Sequence, residues 1–101
     1  MARKELFSVR ISEGNKMEFT TYTSTLDNQD RLILEPLYNK LCKILLPHIK
    51  ERMRGEIIKL YFDKEIKFEM LTEISCNLSE DENERILEIL GLVLSTISKY
   101  N

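Results

Sequence analysis

The feature that most constrains the fold is a change of hydrophobic period at Asp27. Before it, "ELFSVRIS" alternates strictly, with Phe7, Val9 and Ile11 on one face and Ser8, Arg10 and Ser12 on the other. That is the period-two pattern of a half-buried strand. "EGN" follows as a turn in which Gly14 supplies the unusual dihedral. "KMEFTTYTS" then alternates again, setting Met17, Phe19 and Thr21 against Glu18, Thr20 and Tyr22. Strand, turn and strand over residues 7–23 predict a β-hairpin. Two strands alone are marginal in water, so their apolar face must lie on helices or extend another sheet.

From Asp27 onward the spacing turns helical. Asp27 is a cap for a helix starting at Asn28, and Pro36 is expected to interrupt it and open a fresh helix as its first residue. Leu37, Leu41, Ile44 and Leu45 form one stripe. After a further break at Pro47, the positions Ile49, Met53, Ile57, Leu60 and Tyr61 carry helical spacing to "DKEIK", a polar joint. Gly55 weakens such a helix by about 1 kcal/mol relative to Ala. "FEMLTEI" reads as a short amphipathic helix with Phe68, Leu71 and Ile74 inward. The last helix carries the clearest signature. Ser79 and Glu82 are spaced for a capping box, Glu80 and Asp81 lie where the helix dipole favours negative charge, and Ile86, Leu90, Val93, Leu94 and Ile97 form its stripe.

The expected fold is therefore mainly α: a single domain over residues 1–101, with a β-hairpin at 7–23 and a compact bundle of four to five helices over 27–100. No internal repeat is evident. At 101 residues with 43% hydrophobic content the chain can bury a real core. Three Gly and two Pro are few for an all-β fold.

Chemistry-bearing patterns are sparse. The lone His48 has no neighbouring nucleophile elbow, phosphate-cradling glycine loop or zinc-protease motif beside it. As a general base it would need an orienting partner. Cys42 and Cys76 stand alone and far apart, without zinc spacing, and are read as reduced, mostly buried thiols. The expectation is no enzyme, no metal, no cofactor and no small-molecule substrate. The longest apolar run, "ILGLVL", is too short to span a bilayer, and "MARKELFSVRIS" has no apolar segment of a signal peptide. A soluble, intracellular, cytoplasmic protein without a membrane partner is the expectation.

Charge is distributed unevenly around a net value of −2: residues 1–26 carry +1, 27–47 carry 0, 48–68 carry +2 and 69–101 carry −5. The densest basic group is Lys50, Arg52, Arg54 and Lys59, and Arg10 and Lys16 of the hairpin are candidates to extend it. These six are the candidate contacts for a protein partner or for nucleic acid, although Glu51 and Glu56 interrupt them. The segment "LTEISCNLSEDENERIL" has the outline of a helix-turn-helix. Its second helix opens with Glu80, Asp81 and Glu82, which phosphates would repel. That helix is read as one that packs rather than one that reads DNA.

"LCKILLPHIKERMRGEIIKLYF", followed by "NLSEDENERILEILGLVLSTISKY", is similar in layout to the helical domain of GINS subunits of the replicative helicase assembly. Arg52, Arg54, Ile57 and Lys59 match a helix with spaced arginines there. Leu78, Ser79, Glu80 and Glu82 match a capped helix that follows it. The likeness spans residues 41–100, and the small β-rich domain usual in that family has no counterpart beyond the short hairpin. The resemblance implies a scaffold without an active site, assembling with sister subunits.

The function expected is a non-enzymatic protein–protein interaction module, through a protein partner or self-association, with a subunit or accessory role in a nucleic-acid-processing (replication) assembly. Two alternatives stand beside it. One is a small nucleic-acid-binding protein with a winged-helix-like core, using the basic middle region. The other is a virus- or plasmid-encoded inhibitor of a host protein.

Overall fold

The computed structural model of the chain describes residues 3–23, 25–51 and 53–100. These form two layers: a four-stranded antiparallel sheet of order β2-β1-β3-β4, and two long helices across one of its faces. The strands are β1 (Lys4–Ser12), β2 (Lys16–Thr21), β3 (Gly55–Asp63) and β4 (Glu65–Met70). The helices are α1 (Asn28–Leu45), the single turn α2 (Thr72–Ser75) and α3 (Glu80–Ile97).

The expected bundle of four to five helices is thus corrected to an α/β fold with two long helices. The first hairpin forms in the expected register, Val9 opposite Phe19 and Ile11 opposite Met17. The difference begins after α1. Pro36 does not end that helix, which runs through it to Leu45. Proline there leaves the Leu32 carbonyl without its usual donor. Leu32 is exposed, so water can satisfy the group. Beyond a 3-10 turn at Leu46–His48 the chain turns into a second hairpin where helix was expected. "DKEIK" holds its tight turn, with Lys64 in the left-handed region at φ 68°, and "FEM" belongs to β4. Isoleucine, tyrosine and phenylalanine in "GEIIKLYFD" suit a pleated, half-buried surface.

The architecture repeats itself. Each half is a nine-residue strand, a six-residue strand and an eighteen-residue helix. The central pairing is symmetric under exchange of the halves: Phe7 opposite Leu60 and Val9 opposite Ile58 flank the pair Ser8 and Lys59. Even the irregularities correspond. Leu6 is the extra residue of a bulge in β1 and Ile57 of one in β3. The Leu6 carbonyl accepts a bond from Tyr22 N at 3.2 Å, and the Ile57 carbonyl one from Leu71 N at 2.8 Å. Buried Leu34, Leu37, Leu41 and Leu45 of α1 match Ile86, Ile89, Val93 and Ile97 of α3, at the offset that separates the N-caps Asp27 and Ser79. Residue identity hides this repeat, because corresponding strand positions agree only at Glu5/Glu56 and Phe19/Phe68.

The core lies between the layers. Phe7, Val9, Ile58 and Leu60 of the sheet meet the inward leucines and isoleucines of both helices, most of them below 5% exposure. Tyr38 stacks on Phe19 with ring centroids 4.5 Å apart, and burial pushes its hydroxyl pKa up to about 12.

α1 and α3 run antiparallel, because the C-terminal extension of each reaches the first turn of the other. His48 Nε2 lies 2.9 Å from Glu82 Oε2. In the equivalent place Tyr100 donates its hydroxyl hydrogen to Asp30, and Lys99 Nζ stands 2.9 Å from the same carboxylate. Asp30 is only 3% exposed. The hydroxyl of Tyr100, aided by Lys99, holds the Asp30 carboxyl below the usual carboxylate range. Glu82 is lowered mainly by the backbone N–H of Ser79, then by His48. It also completes the expected capping box, with Ser79 N to Oε1 at 3.0 Å and Glu82 N to Ser79 Oγ at 3.1 Å.

Candidate interaction surface

The residues singled out as basic contacts do not share one helix face. Lys50 is exposed after the 3-10 turn that follows α1. Arg54 spends its guanidinium on the chain itself: Nη1 donates to Met53 O at 2.6 Å, to Glu51 O at 2.9 Å and to Asn15 Oδ1 at 3.3 Å. It braces the tip of the first hairpin, where Lys16 begins β2. Arg52 lies outside the described residues. Arg10 and Lys59 belong to the sheet face turned away from the helices.

That open sheet face is closed by its own charges. Arg10 stands opposite Glu18 on β2 and Glu56 on β3 in the strand register, without an ion pair to either. Lys59 stands 3.8 Å from Glu56 and opposite Glu69. Arg3 bonds Glu5 at 2.9 Å and lies 4.2 Å from the centre of the Tyr61 ring. The Tyr61 hydroxyl donates to Glu69 Oε2 at 2.6 Å, which lowers the Glu69 carboxyl and raises the tyrosine. Beneath Tyr22 the buried Ser8 shares a hydroxyl bond of 3.1 Å with it. Exposed pairs of this kind contribute only about 0–1 kcal/mol each. Their effect is to leave little unbalanced field for phosphate or for a charged partner.

The outward face of the helix layer is different in kind. A groove runs between α1 and α3, with the nearly buried Leu37 and Ile89 in its floor. Ile33 on α1 and Leu92 on α3 rise on its two sides, 52% and 55% exposed. Ile44, Lys40 and Lys43 continue the α1 wall; Arg85, Glu88, Thr96 and Lys99 continue that of α3. Arg85 is paired with Asp81 at 2.9 Å and Lys99 with Asp30. Lys40 and Lys43 have no ion pair among the described residues. None of these groove residues was a sequence-derived contact candidate. The available signal was that Ile33 and Leu92 are apolar yet fall off the stripes that form the core.

The other sequence candidates take structural places. His48 is tied to Glu82. α2 is a single turn, so the outline of a helix-turn-helix lacks a first helix of useful length. Cys42 is half-buried with its Sγ 3.7 Å from Met17 Sδ, and burial raises its thiol pKa. Cys76 is exposed, against the expectation of a mostly buried thiol. Among the described residues no helix is long and apolar enough to cross a membrane, and no group of three or more His, Cys, Asp or Glu could hold a metal ion. Comparison of the chain with protein-family models, with curated proteins and with solved structures gives no match in any of the three.

Proposed function

We propose that the protein is a non-enzymatic protein–protein interaction module that docks through the outward face of its helix layer. The observation that carries this reading is the apolar groove, in which Ile33 and Leu92 remain more than half exposed beside Leu37 and Ile89. Covering one such side chain is worth about 1.5–3 kcal/mol, and a contiguous apolar patch rimmed by polar residues marks an interaction site more often than a scattered exposed leucine does. The basic group at Lys50, Arg54, Lys59, Arg10 and Lys16 supports a docking role less well, because the fold divides it, ties Arg54 to backbone carbonyls and sets Lys59 beside Glu56. A replication context draws no further support, since the segment likened to an arginine-bearing GINS helix is partly strand β3.

Three tagged forms of the chain, incubated with nuclease-treated lysate of the source cells, test the reading. They are the wild type, Ile33→Asp with Leu92→Asp, and Arg10→Glu with Lys59→Glu. A partner retained by the wild type and the sheet-face form but lost by the groove form is the expected result. Equal capture by all three, or loss confined to the sheet-face form, overturns it.

A further inference from the structure

We infer that the β4 edge of the sheet pairs with the β4 edge of a second copy of this chain, in an antiparallel two-fold dimer with Phe68 on the axis. This edge is separate from the α1–α3 groove, and neither surface needs the other.

The internal repeat offers a comparison within one molecule. β2 and β4 both end the sheet, but the two edges are finished differently. At the β2 end Ile11 pairs with Met17, and Ile11 is buried. The equivalent pair at the β4 end is Phe62 with Ile66, and each is 46% exposed. The helix above follows suit. Exposed Glu35 of α1 corresponds to Leu87 of α3, at the offset that separates the N-caps, and Leu87 is 47% exposed. Leu94 lies seven residues further along the same side of α3 and shares a cavity with Phe62 and Ile66. The first half closes its own edge. The second leaves an apolar margin beside a row of unpaired backbone groups, which is a template for another strand.

Hydrogen-bond phase and charge then select the occupant. Leu71 N donates to Ile57 O at 2.8 Å. Along the antiparallel ladder Glu69 and Lys67 therefore also turn their backbone groups to β3, while Ile66, Phe68 and Met70 turn theirs outward. A second β4 can bond only in registers that oppose outward residues to one another. Centred on Lys67, the pairing opposes Lys67 to Lys67 and Glu65 to Glu69. Centred on Glu69, it opposes two glutamates. Centred on Phe68, it sets Lys67 opposite the second copy's Glu69 and Glu69 opposite its Lys67, in the non-hydrogen-bonded positions where side chains stand closest. Ile66 then meets Met70, and Phe68 meets Phe68, on the helix-facing side. One register is thus self-complementary in charge, apolar contact and backbone bonding together, as an isologous interface requires. Within one copy Glu69 uses Oε2 for the Tyr61 hydroxyl, and Lys67 lies 3.9 Å from Asp63. Both are exposed contacts that leave room for the second copy. β4 carries no proline or glycine, and its pairing with β3 has no bulge. β2 lacks such a register: centred on Phe19 it opposes Glu18 to Thr20, and Lys16 meets Glu18 only when half the strand is left unpaired.

A single shared strand covers less than the ~800 Å² per partner of a standard interface. A reversible dimer of modest affinity is the consequence.

Sedimentation equilibrium and amide hydrogen exchange of the purified chain test this. At about 0.5 mM, well above a micromolar dissociation constant, the mass should approach twice the 12.0 kDa of one chain. Over the same rise in concentration the amides of Ile66, Phe68 and Met70 should gain protection, while those of Lys67 and Glu69, already bonded to β3, should not change. Ile66→Lys should return the chain to the monomer. Lys67→Glu and Glu69→Lys should each raise the dissociation constant about tenfold, since each opposes like charges twice across the axis. Mixed together, these two variants should form a heterodimer, because every cross-strand pair is then of opposite sign. Misfolding of either cannot produce that result. A wild type that stays monomeric at about 0.5 mM overturns the inference. So does a dimer indifferent to these substitutions, or one lost with Leu92→Asp instead. If the chain stays monomeric but Ile66→Lys loses a lysate partner, the edge takes a foreign strand and self-pairing falls, while the groove reading is untouched.

Discussion

The molecule has two broad outward surfaces, the open face of the sheet and the outer face of the helix layer, and they differ in kind. On the open sheet face, strand pairing sets Arg10 opposite Glu18 and Glu56, and Lys59 beside Glu56 and Glu69. On the helix face, Lys40 and Lys43 of α1 and Arg85, Glu88 and Lys99 of the α3 side rim a groove in which Ile33 and Leu92 stay exposed. Cross-strand neighbours neutralise one another within the fold. On the helix face the rim charges leave Ile33 and Leu92 uncovered between them. Composition does not tell the two faces apart; placement does.

Two adjacent residues of α3 separate the core from the outer face. Val93 is fully buried and Leu92 is 55% exposed. Val93→Asp should abolish cooperative unfolding, because it places a carboxylate in the core at a cost of several kcal/mol. Leu92→Asp should leave the thermal midpoint nearly unchanged while removing capture of a partner. Circular dichroism melts of the two variants should therefore look nothing alike. If Leu92→Asp also unfolds the chain, its side chain belongs to the core and the helix face is not an open surface.

A second effect concerns the contacts that tie the end of each long helix to the first turn of the other. The Asp30 pKa is lowered in the fold, so its contribution to stability is present above the unfolded-state value of about 4 and is lost as pH falls through the lower folded value. Glu82 behaves alike. Tyr100→Phe should lower the thermal midpoint at neutral pH and have much less effect at strongly acidic pH, where Asp30 is protonated in both states. Equal losses at both pH values would mean that the ring, not its hydroxyl, does the stabilising.

Ser79→Ala removes half of the capping box and should cost about 1 kcal/mol in a urea titration. The smallest effect belongs to the sheet face. Lys59→Glu sets a third carboxylate beside Glu56 and Glu69 and should cost at most about 1 kcal/mol, with no change in capture of a partner. A loss of capture with folding intact would move the docking surface to the sheet.

How much of this was legible in the sequence depended on whether local period and tertiary role agreed. The first hairpin alternates cleanly, and α3 announces itself through Ser79, Glu82 and its stripe. Strand β3 was misread as helix for a definable reason. The bulge at Ile57 sends Ile57 and Ile58 inward together, and Leu60 and Tyr61 are both buried. Ile57, Leu60 and Tyr61 then imitate helical spacing. Pro36 suggested a break because a prolyl nitrogen costs a bond, but an exposed helix side lets water offset that. The basic contacts failed with the helix that was to carry them, since residues alternating along a strand cannot form one helical face. The groove was nearly invisible, because it is made by two helices meeting at antiparallel register, which no local pattern encodes.

The most direct test of docking through the groove is amide chemical-shift mapping of the isotope-labelled chain as the partner captured by the wild type is added. Shifts should cluster on Ile33, Leu37, Ile89 and Leu92, with Arg10, Lys59 and Glu69 unmoved. Shifts confined to the sheet face, or none anywhere, would contradict it.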